Sequence, residues 1–236
     1  PASFLSPPWS RSGIVVWCFS LPHLCFEMTT LAAAENTYHN KPASSGSMRF
    51  EEPSALEQEF LEAAKTGNMG MLKYFAEQLN PSKIRDADGM TAFHFAAIGN
   101  SVEAMEFLVA CGCDPMALDG RGGTCVLEAA DAGSLEALQW LAEHGTPGCV
   151  NQPDARGDTA LHVACGKGHV HLLDFLKHAG CDIERKTVDQ QARPLQYAIS
   201  AGRTKAVAWL IRNGVDLQAN DNCFGWNALH IAAYNG

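Results

Sequence analysis

This sequence is short of positive charge, of long apolar runs and of paired cysteines. Lysine and arginine number 17 against 26 acidic residues in 236 positions, a formal net charge of −9. No basic cluster of five or more residues offsets that balance. Duplex nucleic acid and anionic membrane surfaces would therefore be repelled, and both are excluded as partners. The apolar stretch Gly13 to Phe19 ("GIVVWCF") is only seven residues long and is interrupted by Ser20, Pro22 and His23. A membrane-spanning helix needs about 20 apolar residues. With Arg11 ahead of it the stretch could serve as a leader, but no clear small-x-small cleavage site follows, so secretion is the weaker reading.

The nine cysteines (Cys18, Cys25, Cys111, Cys113, Cys125, Cys149, Cys165, Cys181 and Cys223) include no C-x-x-C pair. That removes support for a zinc ribbon or a thioredoxin-type site. An odd number at irregular spacing is also a poor disulfide framework. Several lie in Ala/Leu-rich segments, where cysteine acts as a small hydrophobe. A reducing setting, cytoplasmic or nuclear, fits best.

What is present is enough to fold. Hydrophobic residues make up 47% and charged residues 18%, a globular or repeat composition rather than a disordered one. Residues 1–52 are set apart. The sequence opens on Pro1, and Met28 begins "MTTLAAAE" like an ordinary initiator region. Residues 1–27 are expected to be upstream translation or an artificial end, and 28–52, with "NKPASSGSM", a flexible polar tail.

The rest of the chain repeats itself. The position of Thr91 recurs at Thr124, Thr159, Arg193 and Asn227, at intervals of 33, 35, 34 and 34 residues. "FLVACGCD", "WLAEHGTP", "FLKHAGCD" and "WLIRNGVD" recur in the same phase and carry Gly112, Gly145, Gly180 and Gly214. Two independent landmarks keeping one period indicate a stacked-repeat architecture. In each unit an Asp and a Gly set a turn (Asp86/Gly89, Asp119/Gly122, Asp154/Gly157). Thr then caps a short Ala-rich helix. A second helix follows with apolar residues at helical spacing, such as Val102, Met105, Leu108 and Val109. The glycine after it is expected to be left-handed and to end the helix. One unit cannot bury its apolar face alone, so neighbours must stack into a solenoid.

"TALHVACGKGHVHLLDFLKHAGCDI" closely resembles the ankyrin repeat signature, and "TAFHFAA" and "NALHIAA" match it well. The resemblance covers about residues 54–236. It implies a mainly α solenoid of helix–turn–helix units joined by short β-hairpin loops. The expected division is an N-terminal cap at 54–85, repeats at about 86–118, 119–153, 154–187 and 188–220, and a truncated repeat at 221–236. Leu127 stands where the family has His. Arg193 replaces the Thr, Gln196 replaces the His, and the turn Asp189 to Ala192 lacks its glycine and is one residue short. In the last unit Leu229, Ile231 and Ala232 lack a second helix to pack on, so the array is expected to continue past Gly236.

Two apparent sites dissolve in this frame. His162, Cys165, His169 and His171 are competent zinc ligands crowded into ten residues. The resemblance, however, implies that His162, like His94 and His230, bonds within and between repeats, and that His169 belongs to the turn. Cys165 replaces an alanine and should be buried, and His171 should face solvent. "CGKGH" resembles a phosphate loop only in composition, because it lacks the G-x-x-x-x-G-K-[ST] spacing between a strand and a helix. Cys111 and Cys113 have no obvious base, and the acidic pairs Glu51/Glu52 and Asp86/Asp88 suit solvated turns and tails. No catalytic residue, metal site or cofactor is expected.

A binding surface remains. The resemblance implies protein partners held by the hairpin tips and the exposed side of the first helices. By motif position the tips offer Arg85, Asp88, Met90, Arg121, Arg156, Asp158, Phe224 and Trp226. The first-helix side offers Lys65, Ile98, Asp131, Lys167, Ser200 and Tyr234. The expected function is a monomeric, non-catalytic interaction scaffold. The alternative is the recognition or regulatory arm of a larger enzyme or channel.

Overall fold

The computed structural model describes residues 52–219, 225 and 227–235, the last two of these by backbone alone. Among the described residues there are eleven α-helices. They alternate between two rows. The first row is α1 (Ala55–Thr66), α3 (Ala92–Ile98), α5 (Cys125–Ala132), α7 (Ala160–Lys167), α9 (Pro194–Ser200) and α11 (Ala228–Asn235). The second row is α2 (Met69–Ala76), α4 (Val102–Ala110), α6 (Leu135–His144), α8 (Val170–His178) and α10 (Thr204–Arg212). Each of the first five first-row helices packs on the next and on its own second-row partner, with contact densest along the first row. One continuous apolar cluster runs from Phe60 through Phe93, Leu127, Leu161 and Leu195 to Ala228. This is the stacked solenoid that the period implied.

The small side chains of the first row decide how closely it can stack. Ala92, Ala96, Ala97, Ala129, Ala130, Ala160, Ala164 and Ala198 have no exposed surface. Closest of all is Gly99, at the end of α3. Its backbone is ordinary, at φ −73°. A Cβ there would nevertheless lie 1.7 Å from the Lys65 carbonyl oxygen of the neighbouring helix. Glycine is required by space, not by conformation.

The tips are built from Asp and Gly as the sequence implied. Asp86 Oδ1 accepts from the amides of Asp88 (3.0 Å) and Met90 (2.8 Å). Asp119 Oδ1 accepts from Arg121 and Gly123, and Asp154 Oδ1 from Arg156 and Asp158. Gly89, Gly122 and Gly157 sit at φ 80°, 74° and 87°. The only pairing of strand type among the described residues is an isolated antiparallel bridge, Arg85 with Thr91, so these tips are turns rather than extended hairpins. Backbone bonds join tip to tip: Gly120 N–H to Asp88 O, Ala155 N–H to Arg121 O, and Val188 N–H to Arg156 O.

Two local expectations are corrected. The fourth turn is not short. Thr187 rather than Asp189 is its anchor: Thr187 N–H bonds Ala192 O, and Thr187 Oγ1 accepts from Ala192 N–H at 3.1 Å. Asp86 closes on Met90 four residues on, whereas Thr187 closes on Ala192 five residues on, so this turn is one residue longer. Gln191 takes the glycine position at φ 52°. The second correction concerns Gly145. Gly112, Gly180 and Gly214 are left-handed as expected, but Gly145 is extended (φ −76°, ψ −177°). That repeat has the 35-residue spacing, and its surplus is absorbed by left-handed Gly148 and a 3₁₀ turn over Cys149–Asn151. Gly145 is still needed, because a Cβ would lie 2.5 Å from Leu141 O. In the last unit Ile231 is buried while Leu229 is largely exposed.

Gly99→Ala should destabilise the fold by at least about 3 kcal/mol, since a backbone oxygen cannot yield as a side chain can. Thermal or denaturant unfolding measures it, and near-wild-type stability would contradict the close approach. Gln191→Gly should act oppositely. Relief of a left-handed non-glycine residue, offset by the added freedom of the unfolded chain, should leave a gain of about 0.5–1 kcal/mol in the same assay.

Candidate functional site

The surface formed by the tips and the first-row helices is fixed from beneath by buried polar locks. In the repeats at 86–118 and 154–187 the lock is a Thr–His pair. Thr91 N–H donates to His94 Nδ1 at 3.1 Å, and the Thr91 hydroxyl lies 2.9 Å from the same nitrogen. Thr159 and His162 repeat this at 3.3 and 2.8 Å. A backbone N–H can only donate, so Nδ1 must be an acceptor and the ring proton sits on Nε2. In His162 that Nε2–H reaches the carbonyls of Arg185 (3.0 Å), at the end of its own repeat, and Ala192 (3.3 Å), in the next. His94 Nε2 faces the equivalent carbonyl, Gly123 O, without closing a hydrogen bond of ordinary geometry. Burial is the main cause that pushes both imidazoles down to about 4.

The departures from the motif have visible consequences. Leu127, in the His position, is wholly buried and cannot accept, so the Thr124 hydroxyl is left without a partner. Gln196 does better: its amide oxygen accepts Arg193 N–H at 3.3 Å, replacing an imidazole nitrogen.

A second lock was not read from the sequence. Ser134 Oγ bonds Ile98 O (2.9 Å), His169 Nε2 bonds Asp131 O (2.9 Å), and Arg203 Nε bonds Gly166 O (3.0 Å). Each donor lies ten residues after the Thr91-type position, and each acceptor seven after it in the preceding unit. Three chemically unlike side chains perform one bond. Residue identity hides this; only repeat phase could have disclosed it.

The suspected zinc ligands are spent in such bonds. His162 and His169 are held as described, exposed His171 caps Gly133 O at 2.9 Å, and Cys165 is fully buried. Among the described residues no group of three or more His, Cys, Asp or Glu side chains is placed to hold a metal ion. Burial raises the thiols of Cys111 and Cys113, the latter to about 11, which keeps both protonated and poorly nucleophilic.

The expected tip residues fall into two groups. Asp88 is exposed. Most of the others serve the frame. Arg85 Nη1 bonds Gly89 O and Leu118 O, tying one tip to the next. Arg121 pairs with Asp119 (3.0 Å) and Glu128 (2.6 Å), and Arg156 with Asp154 (3.3 Å) and Asp158 (3.0 Å). Met90 is 8% exposed and Asp158 1%, so neither stands out on a tip as position in the motif suggested. Met90 is packed under the turn, and the Asp158 carboxylate is bonded by the Tyr197 hydroxyl of the next unit. Lys167 is half-buried against Asp131 at 2.9 Å. Phe224 and Trp226 lie outside the described residues, as does the side chain of Tyr234.

The first-row edge carries two rows of side chains in repeat phase. Ile98, Asp131, Gly166 and Ser200 form one, all half-buried. Phe95, Glu128, Val163 and Tyr197 form another, four residues after each Thr91-type position. Glu128 is an oddity in it, a carboxyl only 1% exposed with one oxygen on Arg121 and the other, Oε2, without a partner. Burial raises it to about 7 against the opposing pull of Arg121.

Stacked helical pairs, Asp/Gly tips and Thr–His locks define a repeat solenoid with one continuous surface along its first helices. Two family models of ankyrin repeats match the chain, one over residues 99–187 and one over 60–109 and 195–236. The chain belongs to the ankyrin repeat family. It is 32% identical to the mouse B-cell lymphoma 3 protein homolog over 148 residues, 62% of this chain and 33% of the relative. It is 26% identical to the transient receptor potential cation channel subfamily A member 1 homolog of Caenorhabditis elegans over 74% of this chain and 14% of that protein. It is 31% identical to human NF-kappa-B inhibitor alpha over 39% of this chain and 31% of the relative. The matched stretch thus spans a third or less of each relative. Among the described residues no helix is long and apolar enough to cross a membrane.

The locks make stability acid-sensitive. His94 and His162 titrate near 4 when folded and near 6.5 when unfolded. The unfolded chain therefore takes up protons first. Their contribution is complete above about pH 6.5 and is lost as pH falls toward 4, by up to about 3 kcal/mol for each ring. In a His94→Gln/His162→Gln variant the amide can accept as Gln196 does. Its unfolding free energy should decline less than the parent's between pH 6.5 and 4, and parallel curves would refute the assignment.

Proposed function

We propose that this chain is a non-catalytic protein-interaction scaffold that holds a partner on the concave surface of tips and first-row helices. Ankyrin repeats in general mediate protein–protein interaction. One observation carries the reading for this chain. The buried locks consume the polar side chains of the frame, yet Phe95, Ile98 and Ser200 remain half-exposed on one rigid, continuous edge with Asp88 at its tip. A surface ordered in advance binds without first losing conformational entropy. The net charge of −9 favours a protein partner over nucleic acid or an anionic membrane.

A second reading has its own support. The chain matches a third or less of each relative's length, and one of those relatives is by name a cation channel subunit. On that reading the same surface is the recognition arm of a longer protein.

Ile98→Glu and Ser200→Arg place charge on the edge without removing a lock side chain; the Ile98 group that accepts from Ser134 is the backbone carbonyl. Each should weaken capture of the partner isolated with the parent chain by about tenfold, the scale of a central interface residue. Thermal midpoints should stay unchanged. A partner retained by both variants and by Asp88→Lys would sink the concave-surface reading.

A further inference from the structure

Charge is segregated along the solenoid. Residues 86–153 contain ten acidic side chains and a single basic one, Arg121. Residues 154–220 contain nine basic and seven acidic. Each repeat touches only its neighbours, so a block of sequence is also a block of space. The first two full repeats form an acidic half and the next two a weakly basic one.

The lone cation of the acidic half is already committed, to Asp119 and Glu128. Lys167 of the next repeat is paired with Asp131, and Arg85 lies at the first tip, so on this edge the five carboxylates of Asp86, Asp88, Asp119, Glu128 and Asp131 face three cations. Asp86, Asp119 and Asp131 all bear on Glu128, and Asp88 bears on Asp86. Within that group Glu128 Oε2 is buried and has no donor. An unsatisfied buried acceptor surrounded by like charge is a place where an incoming cation is favoured. Asp88 is exposed at the tip and Asp131 lies on the first-helix edge, so the two could be touched by one ligand crossing both repeats.

We propose that the acidic half of the concave surface, repeats 86–118 and 119–153, is the seat of a lysine- or arginine-rich segment of the partner protein, bridging Asp88 and Asp131. This rests on the scaffold reading above and names the chemistry of its partner. The carboxylates are spread over two repeats, which suits several side-chain cations on one chain better than a single metal ion. The excess negative charge also steers a basic segment from a distance, so association should be fast and salt-sensitive. The basic half would repel the same segment and so fixes which end of the array it takes.

The test uses the full chain and a fluorescent deca-arginine peptide, with deca-glutamate as a control, read by anisotropy. The parent should bind deca-arginine and not deca-glutamate. Asp88→Asn/Asp131→Asn should weaken binding by about tenfold. Glu103→Gln/Glu106→Gln removes the same charge from the exposed outer face of α4 and should change the affinity by less than about twofold. Equal losses from the two pairs would mean unspecific attraction to net charge and would overturn the proposal, as would no binding. Should loss of the Asp131–Lys167 pair unfold the first variant, Ala132→Lys serves in its place. It adds a cation at an exposed position on the same edge and should also weaken binding about tenfold. An isolated partner that is lost by Ile98→Glu but kept by Asp88→Asn/Asp131→Asn would refute the basic segment and leave the scaffold reading standing.

Discussion

The close stacking of thin helices is the constraint on which everything else hangs. A first-row helix with larger side chains could not bring Gly99 to the Lys65 carbonyl or bury eight alanines completely. Leucines and aromatics of the second row then close the back of the same layer. No single unit has enough partners to bury its own face, so stability is a property of neighbouring pairs. The consequence for function is a surface whose curvature and spacing come from the frame and not from the residues displayed on it.

Close stacking buries polar backbone and must satisfy it. The chain does so with short, repeated devices. An Asp oxygen gathers two tip amides, an imidazole or an amide oxygen takes the N-cap N–H, and a residue at the inter-helix turn reaches back to the preceding helix. Where a device is missing, the trace remains: Thr124 keeps an unpartnered hydroxyl beside Leu127, and Gln191 holds a left-handed turn that glycine fills elsewhere. Glu128 is a different case. A carboxyl raised to about 7 and left with an orphaned oxygen does not serve the frame well, and it lies in the acidic stretch of the first-row edge.

The same logic explains why a dense run of His, Cys and Lys is not a reactive centre. His162, His169 and His171 each spend a ring nitrogen on a carbonyl, and Lys167 is paired with Asp131. Several tip cations that motif position offered to a partner are likewise occupied. Arg85 joins turn to turn, Arg121 joins turn to helix, and Arg156 closes its own turn on Asp154 and Asp158. What stays available is the part of the surface that the frame does not use.

Period, helix pairs, turn chemistry and the burial of the Ala-rich row were all legible in the sequence, because each is a local preference repeated until chance is excluded. The roles of His94 and His162 followed from the family resemblance rather than from spacing. Three matters waited for the tertiary structure. The long fourth turn is anchored by Thr187, which no motif marks. The Ser134, His169 and Arg203 rung joins unlike residues that only a shared position in space makes equivalent. Met90 and Asp158 occupy tip positions in the motif but are buried, because exposure depends on what the adjacent unit lays over them. The sequence determined the unit and its rhythm through interactions within about 35 residues. Only stacking decided which side chains the finished surface keeps for itself and which it leaves for a partner, since that is settled between units and not inside one.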